Sequence, residues 1–310
     1  MNINTLSDYL KKEYRCKVYK LSLQSGCTCP NRDGKVGKGG CTFCSEGGSG
    51  DFASFFLTKD KNGNPITIEE NIDMQIESAK EKVAAKLKGK DHKYIAYFQS
   101  FTNTYGDPNV LETIYRQALS HPEIVALSIG TRPDCLPDNI VSMLKTLRDE
   151  YNKDIWIELG LQTINEESAK HIKRGYSLPV FEDAYRRLKE NNFTVIVHVI
   201  LGLPGESEND MLSSVRYLAD LQPRLDGIKL QLLHVLKGTD LALEYEKAHF
   251  HVFTLEEYCD LIVKCLKLLP RDIVIHRITG DGPKKLLIAP LWSANKKVVL
   301  NTINKAIIDA

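Results

Sequence analysis

Cys27, Cys29, Cys41 and Cys44, four of the chain's eight cysteines, fall within the stretch GCTCPNRDGKVGKGGCTFCSEGGSGDF (residues 26–52), which also holds eight of its twenty glycines. Thiols gathered in this way in a reducing compartment bind metal or do chemistry more often than they pair as disulfides. Two chemistries are open to this set. All four, as C-x-C-x11-C-x2-C, could close a tetrahedral structural zinc site. Three of them, Cys29, Cys41 and Cys44 as C-x11-C-x2-C, could hold a 4Fe-4S cluster with one iron left open to a ligand.

The elements around the loop bear on the choice. With 310 residues, 43% apolar and 26% charged, the chain is long enough to bury one large core. Its first residues, MNINTLSDYLKKEYR, carry no apolar leader, and no run reaches the roughly 18 apolar residues of a membrane span. A cytoplasmic location and no membrane partner are expected. The formal charge is +1, so the whole-molecule field makes no case for nucleic acid. Apolar runs KVYKLSL, YIAYFQS, IVALSIG, IWIELGL, TVIVHVILG and GIKLQLL alternate with helical stretches near residues 69–88, 108–120, 138–150, 178–191 and 207–221. Six such units predict a parallel sheet, as an incomplete barrel or an open doubly wound sheet, with polar site residues at the strand C-termini. The cysteine loop follows the first of these strands. That placement favours a cluster with an open iron at a barrel mouth over a zinc knuckle.

Alternation in residues 155–162 puts Trp156, Glu158, Gly160 and Gln162 on one face. A carboxylate facing a barrel interior needs partners, and an internal hydrogen-bond network is the plainer reading of it. The glycines of HVILGLPGES permit close backbone approach or simply turn the chain into a helix.

Taken together, TCPNRDG…GGCTFCS, TRPDCLP, ELGLQT, GLPGE and HRITGD…LLIAPLW resemble the radical S-adenosylmethionine (SAM) superfamily, in its Elongator-catalytic-subunit-like branch and in one bacterial subfamily of that branch. The resemblance runs over nearly the whole chain, about residues 18–303. Its C-x11-C-x2-C spacing departs from the common C-x3-C-x2-C and is closer to the longer gap of that branch.

The resemblance implies an α/β fold: a partial (β/α)6 barrel of the radical SAM type in residues 1–240, with its cluster loop at 24–52. A C-terminal α/β extension, residues 241–310, would cover the barrel opening and contribute to the substrate site. Cys29, Cys41 and Cys44 would ligate the 4Fe-4S cluster, leaving Cys27 a bystander. SAM would bind the free iron, with Phe43 near adenine, Gln99 and Ser100 receiving the methionine amino group, Glu158 and Gln162 on the ribose side and Arg174 pairing with the carboxylate. Gly202, Pro204 and Gly205 would flank adenine. Reductive cleavage of SAM would give a 5′-deoxyadenosyl radical that abstracts hydrogen from substrate, and the branch resemblance implies remodelling of the substituent at the fifth ring position of the tRNA wobble uridine. The implied partners are tRNA at its anticodon region, a reductant such as flavodoxin or ferredoxin, and a further enzyme that completes the modification.

Other readings stand beside these. His276, Arg277 and Asp281, around the late apolar run IVIHRITGDG, are the candidates for substrate chemistry, and that run could close the open side of the barrel. Arg174 taken alone reads as a surface residue at a helix end, and His198 as a satisfied core histidine. Cys16, Cys135, Cys259 and Cys265 read as buried or incidental thiols, the last two on different helix faces. From residue 271 the tail carries seven Lys and Arg against three Asp, with Trp292 between two lysine pairs, compatible with RNA phosphate contacts or with a solvated basic face. A small-metabolite substrate, or a non-catalytic four-cysteine zinc protein that binds RNA, are the alternatives.

Overall fold

A computed structural model describes residues 1, 3–48, 53, 56–85, 87, 91–280 and 282–310. Its strands are β1 (Lys17–Leu23), β2 (His92–Phe98), β3 (Ile124–Thr131), β4 (Asp154–Gln162), β5 (Thr194–Leu201), β6 (Gly227–Leu232), β7 (Val235–Leu236), β8 (Val274–Arg277) and β9 (Leu287–Ala289). Its α-helices are α1 (Leu6–Tyr14), α2 (Ile68–Ala84), α3 (Pro108–Ser120), α4 (Asp138–Tyr151), α5 (Glu166–His171), α6 (Leu178–Glu190), α7 (Glu208–Ala219), α8 (Asp240–Ala248), α9 (Leu255–Leu268) and α10 (Lys296–Asp309). Seven strands form one parallel sheet in the order β1-β2-β3-β4-β5-β6-β8, and β7 and β9 pair separately as an antiparallel ribbon. This is the partial barrel expected from six βα units, with one strand more.

The seventh strand comes from beyond residue 240. β8 pairs with β6 and extends the sheet, but among the described residues it does not pair with β1. The N-terminal segment occupies that side instead. Thr5 bridges Ile275, and the Ile275 amide donates to the Asn4 carbonyl at 2.8 Å. The expectation that the late apolar run closes the barrel is therefore met only in part.

Both faces of the sheet are covered, which is why its strands read as nearly continuous apolar runs. The outer face, including Leu21, Leu127, Ile157, Val197 and Leu230, packs with the helices into one core. Capping boxes at Thr67, Ser207 and Thr254 fix the starts of α2, α7 and α9. Helix α9 lies between α7 and α10. That explains why Cys259 and Cys265 are both buried despite a spacing that separates them around the helix. Cys135 is buried as expected, and Cys16 is half-buried.

The inner face steps by two residues per layer. The lowest layer, Ile95, Ala126, Trp156 and Ile196, packs on Leu10 of α1, so that helix plugs the barrel floor. Two residues further along each strand stand Lys20, Tyr97, Ser128, Glu158, His198 and Lys229. The next step brings Gln99, Gly130, Gly160, Ile200 and Gln231 to the mouth. Among the described residues no helix is long and apolar enough to cross a membrane.

The plug closes an apolar layer whose loss would leave a cavity. Leu10→Ala should cost about 2–5 kcal/mol in urea unfolding. An unchanged midpoint would show that α1 is not part of the cooperative core.

Candidate active site

The cysteine loop is folded by its own backbone. The amides of Arg32 and Asp33 donate to the Cys29 carbonyl, those of Val36 and Gly37 to Pro30, and that of Gly40 to Asn31. Arg32 then ties the end of the loop by donating to the carbonyls of Cys44 and Ser45. The result aims three thiols into one cavity, lined by Cys29, Cys41 and Cys44 together with Phe43, Gln99, Glu158, Gln162 and Arg174. Cys27 is not on this wall. It packs against the hydrophobic core, and burial pushes its thiol up.

The middle layer of the barrel is the floor beneath that cavity. Glu158 is 1% exposed and accepts four hydrogen bonds. Lys20 and Ser128 donate to one oxygen at 2.7 and 2.6 Å, and His198, at 2.8 Å, and Lys229 to the other. Lys229 also reaches the Tyr97 hydroxyl at 3.0 Å, and both lysine ammoniums lie over the Tyr97 ring. Burial alone would raise the Glu158 carboxyl, but Lys20 and Lys229 outweigh it and hold the carboxyl well below its usual range. Burial brings Lys229 down to about 7 against the pull of Glu158. Burial, with Lys229 adding to it, brings His198 down to about 4.

Two irregularities re-aim side chains at the mouth. The register shift between Gly160 and Gln162 puts Gln162, at φ 66°, over Gly160. A Cβ on residue 160 would meet the Gln162 amide, so the glycine lets that side chain lie over the strand as it does. The second shift lies between β6 and β8 and sets Arg277 opposite Lys229. Arg277 reaches Gln231 and lines the cavity. Tyr176 completes the wall, its ring 4.8 Å from the guanidinium carbons of both Arg132 and Arg174.

The predicted residues divide as follows. Cys29, Cys41, Cys44, Phe43, Gln99, Glu158, Gln162, Arg174 and Arg277 share the cavity. Ser100 is buried behind Gln99, off the cavity wall. Gly202, Pro204 and Gly205 line a separate groove with Phe250 and Phe253, and Ile200 takes the corresponding place in the cavity. His276 lies lower, edge-on to Trp156 and against Gly227. Asp281 lies outside the described residues.

Arg174 is not the surface residue its isolated context suggests. It is 1% exposed, and its guanidinium donates to the carbonyls of Tyr176, Leu161 and Thr163 and to Glu166. Four of its five N–H groups are thereby engaged. His198 is a satisfied histidine, as expected, and its partner is Glu158 in the charged layer. The basic tail is not one face either, because Arg277 turns inward and Trp292 donates to Phe253 and packs beside Tyr258. Tyr97, Lys20, Lys229 and Gln231 were missed. Stepping back two residues from Gln99, and across the alternation of KVYKLSL and GIKLQLL, would have found them.

These donors suit a cluster better than a lone ion. A tetrahedral thiolate site brings its sulfurs within about 4 Å of one another, given Zn–S bonds of about 2.3 Å. Among the described residues no three Cys, His, Asp or Glu side chains are placed to share one ion. Three thiols line one cavity while the fourth packs against the core, the donor set that a cluster held by three cysteines would use. The Cys41 sulfur is also hydrogen-bonded from outside the cavity, by the Asn31 amide at 3.4 Å.

Comparison with known proteins agrees. The family model for the radical SAM superfamily matches residues 28–218, and that for the Radical_SAM C-terminal domain matches residues 225–309. The chain is 41% identical to YtqA of Bacillus subtilis over 302 residues, covering 97% of this chain and 88% of that one. It is 26% identical to Elongator complex protein 3 of Schizosaccharomyces pombe, covering 68% of this chain and 38% of that protein. Among solved structures, the archaeal Methanocaldococcus infernus Elp3 superposes with a TM-score of 0.61 at 21% identity, over 77% of this chain and 59% of that one.

The charged layer makes stability depend on pH. His198 titrates near 6.5 when unfolded and near 4 in the fold, so the unfolded chain binds the extra proton between those values. Stability should therefore fall as pH drops from 6.5 to 4, and His198→Gln should flatten that slope in urea titrations. Equal slopes would exclude His198 as the source. Removing the shared counter-charge in Glu158→Leu should cost about 3–5 kcal/mol at pH 6.5, and a neutral result would mean that the lysines do not depend on it.

Proposed function

The chain belongs to the radical SAM superfamily, whose enzymes use a 4Fe-4S cluster and SAM, and on that footing we propose that it remodels the substituent at the fifth ring position of the tRNA wobble uridine. The observation that carries the catalytic part is the shared cavity: Cys29, Cys41 and Cys44 face the interior polar layers while Cys27 packs in the core. In this reading Cys29, Cys41 and Cys44 hold three irons and the cavity beside them takes SAM. The group supplies a one-electron cleavage of SAM that starts hydrogen abstraction from substrate.

The chain's own residues orient and shield. Phe43, Ile200, Gln99 and Gln162 line the cavity; Phe43 and Ile200 would flank the adenine, Gln99 would receive the methionine amino group, and Gln162 would take the ribose. Glu158 has its acceptor positions filled by four donors, so its part is to hold the floor in place. Arg174 fixes the turn beneath the carboxylate and offers it the one N–H that its protein contacts leave over. The α1 plug and the packed middle layer exclude water from below. Tyr97, His198, Gln231 and Arg277 line the inner side of the cavity and would meet the substrate there.

The nucleic-acid part is supported by similarity to Elongator complex protein 3 and by the sequence resemblance to its branch. A base from a single-stranded anticodon loop can be splayed out and inserted into such a cavity. A low-potential electron donor and an enzyme acting on the product complete the proposal.

The first test is anaerobic reconstitution with iron and sulfide, reduction in the presence of SAM, and assay of 5′-deoxyadenosine. Wild type and Cys27→Ala should form it, Cys41→Ala should not, and tRNA should accelerate it. A colourless zinc-loaded protein that leaves SAM intact would refute the enzyme reading, while cleavage indifferent to any tRNA would refute the substrate. Arg277→Ala should keep iron content and uncoupled SAM cleavage but lose modification of tRNA by at least about tenfold, the size of one lost charged contact of 1.4 kcal/mol; undiminished modification would remove Arg277 from the site.

A further inference from the structure

We propose that Asn31 is a positioning residue for the cluster, its amide hydrogen-bonded to the Cys41 sulfur so as to raise the reduction potential of the bound cluster. The inference rests on the cluster reading above; the Cys41 thiol stands here for an iron-bound thiolate.

Asn31 is 4% exposed and follows Cys29 by two residues. Its amide nitrogen donates to the Lys173 carbonyl at 2.5 Å and to the Cys41 sulfur at 3.4 Å. A carbonyl only accepts, so the nitrogen must face it, and the orientation of the amide is fixed by that bond. Its oxygen is turned toward Gly37, where a Cβ would collide with it, so the missing side chain at residue 37 makes room for this orientation. Both N–H groups are thus committed, one to the scaffold and one to a ligand.

The scaffold is a short turn held in place for this purpose. Lys173 has φ 55°, a left-handed conformation that costs a residue with a side chain about 1 kcal/mol and presents its carbonyl to Asn31. The same turn accepts from the Thr42 amide through Ile172 at 3.1 Å and from Arg132 through Arg174 at 2.8 Å. The bonds from Asn31 and Thr42 therefore pin the segment carrying Cys41 to the turn carrying Arg174, and Arg132 ties that turn to the end of β3. Of these, the Asn31 amide is the one that also touches a ligand sulfur. Arg132 acts on Cys41 only through charge, and its guanidinium is forked onto Asp134.

Reduction adds negative charge to a cluster, and part of it resides on the thiolate sulfurs. An N–H aimed at one sulfur stabilises the reduced state more than the oxidised one and raises the potential. Removing it should lower the potential without removing a ligand.

The test is a redox titration of the reconstituted full chain followed by electron paramagnetic resonance, with iron and sulfide per chain measured alongside. Asn31→Ala should retain iron and sulfide at the wild-type level and titrate at a lower potential. Asn31→Asp, which replaces the donor by a negative charge, should titrate lower still. An unshifted midpoint in variants that hold the full cluster overturns the proposal. If Asn31→Ala loses iron, Gly37→Ala supplies the measurement, since it keeps the amide but displaces it; an unshifted midpoint there is equally fatal. Zinc in place of iron in the wild type would instead overturn the cluster reading and this proposal with it.

Discussion

A carboxylate taken out of water costs several kcal/mol unless charge and hydrogen bonds compensate it, and the interior of this barrel is arranged around one such group. Glu158 is held by Lys20 from β1, Ser128 from β3, His198 from β5 and Lys229 from β6, with Tyr97 of β2 beneath both ammoniums. Every one of the first six strands therefore contributes to a single layer, and each depends on the others being in register. A slip of one residue in any strand would turn its polar member into the helix-packed core and bring an apolar side chain inward. The network thus acts against misregistered pairings as well as filling space, which apolar packing alone would not do.

The same layer separates two environments. Below it the interior is apolar and closed by α1; above it the side chains shrink to Gly130 and Gly160, and space opens for a ligand. A reactive centre needs a floor that does not move, and a layer whose donors and acceptors are mutually satisfied supplies one. Arg174 and Arg132 do the same at the side wall by spending their forks on carbonyls and carboxylates of the protein. Most charged groups of the site thereby hold its shape.

Much of this was legible in the sequence. The six apolar runs and the helices between them are where the pattern placed them, because a parallel sheet covered on both sides leaves long Val/Ile/Leu signals. The C-x11-C-x2-C set was legible as three cysteines that share one cavity, and the alternation of residues 155–162 turned Glu158 and Gln162 inward. What escaped reading is what three dimensions decide. Arg174 looks like a helix-end residue until the turn at 172–175 folds it under the cluster loop. That His198 is satisfied was legible, but its partner, Glu158, lies forty positions away and was not. Gly202, Pro204 and Gly205 carry the same family signature as the cavity residues, yet their turn faces another groove. The strand β8 could be located but not paired, since only its bulge decides that Arg277 and His276 reach different depths.

The cysteine loop obeys a different logic from the barrel. Its described residues form no regular helix or strand, and their order comes from short backbone turns, the Arg32 fork and the bonds to residues 172–174. Gly26, Gly34, Gly39, Gly40 and Gly48 take positive φ in its turns, where side chains would be strained. A loop of that kind has little apolar area to stabilise it by itself, so its geometry must be borrowed from the scaffold it touches and from the group it binds. The two sources meet at Cys41. Its sulfur faces the cavity, its neighbour Thr42 is tied to Ile172, and Asn31 reaches it from behind while holding Lys173. A shift of the 172–175 turn would therefore be felt at the Cys41 thiol and at Arg174 together, so two walls of the cavity are set by one piece of backbone.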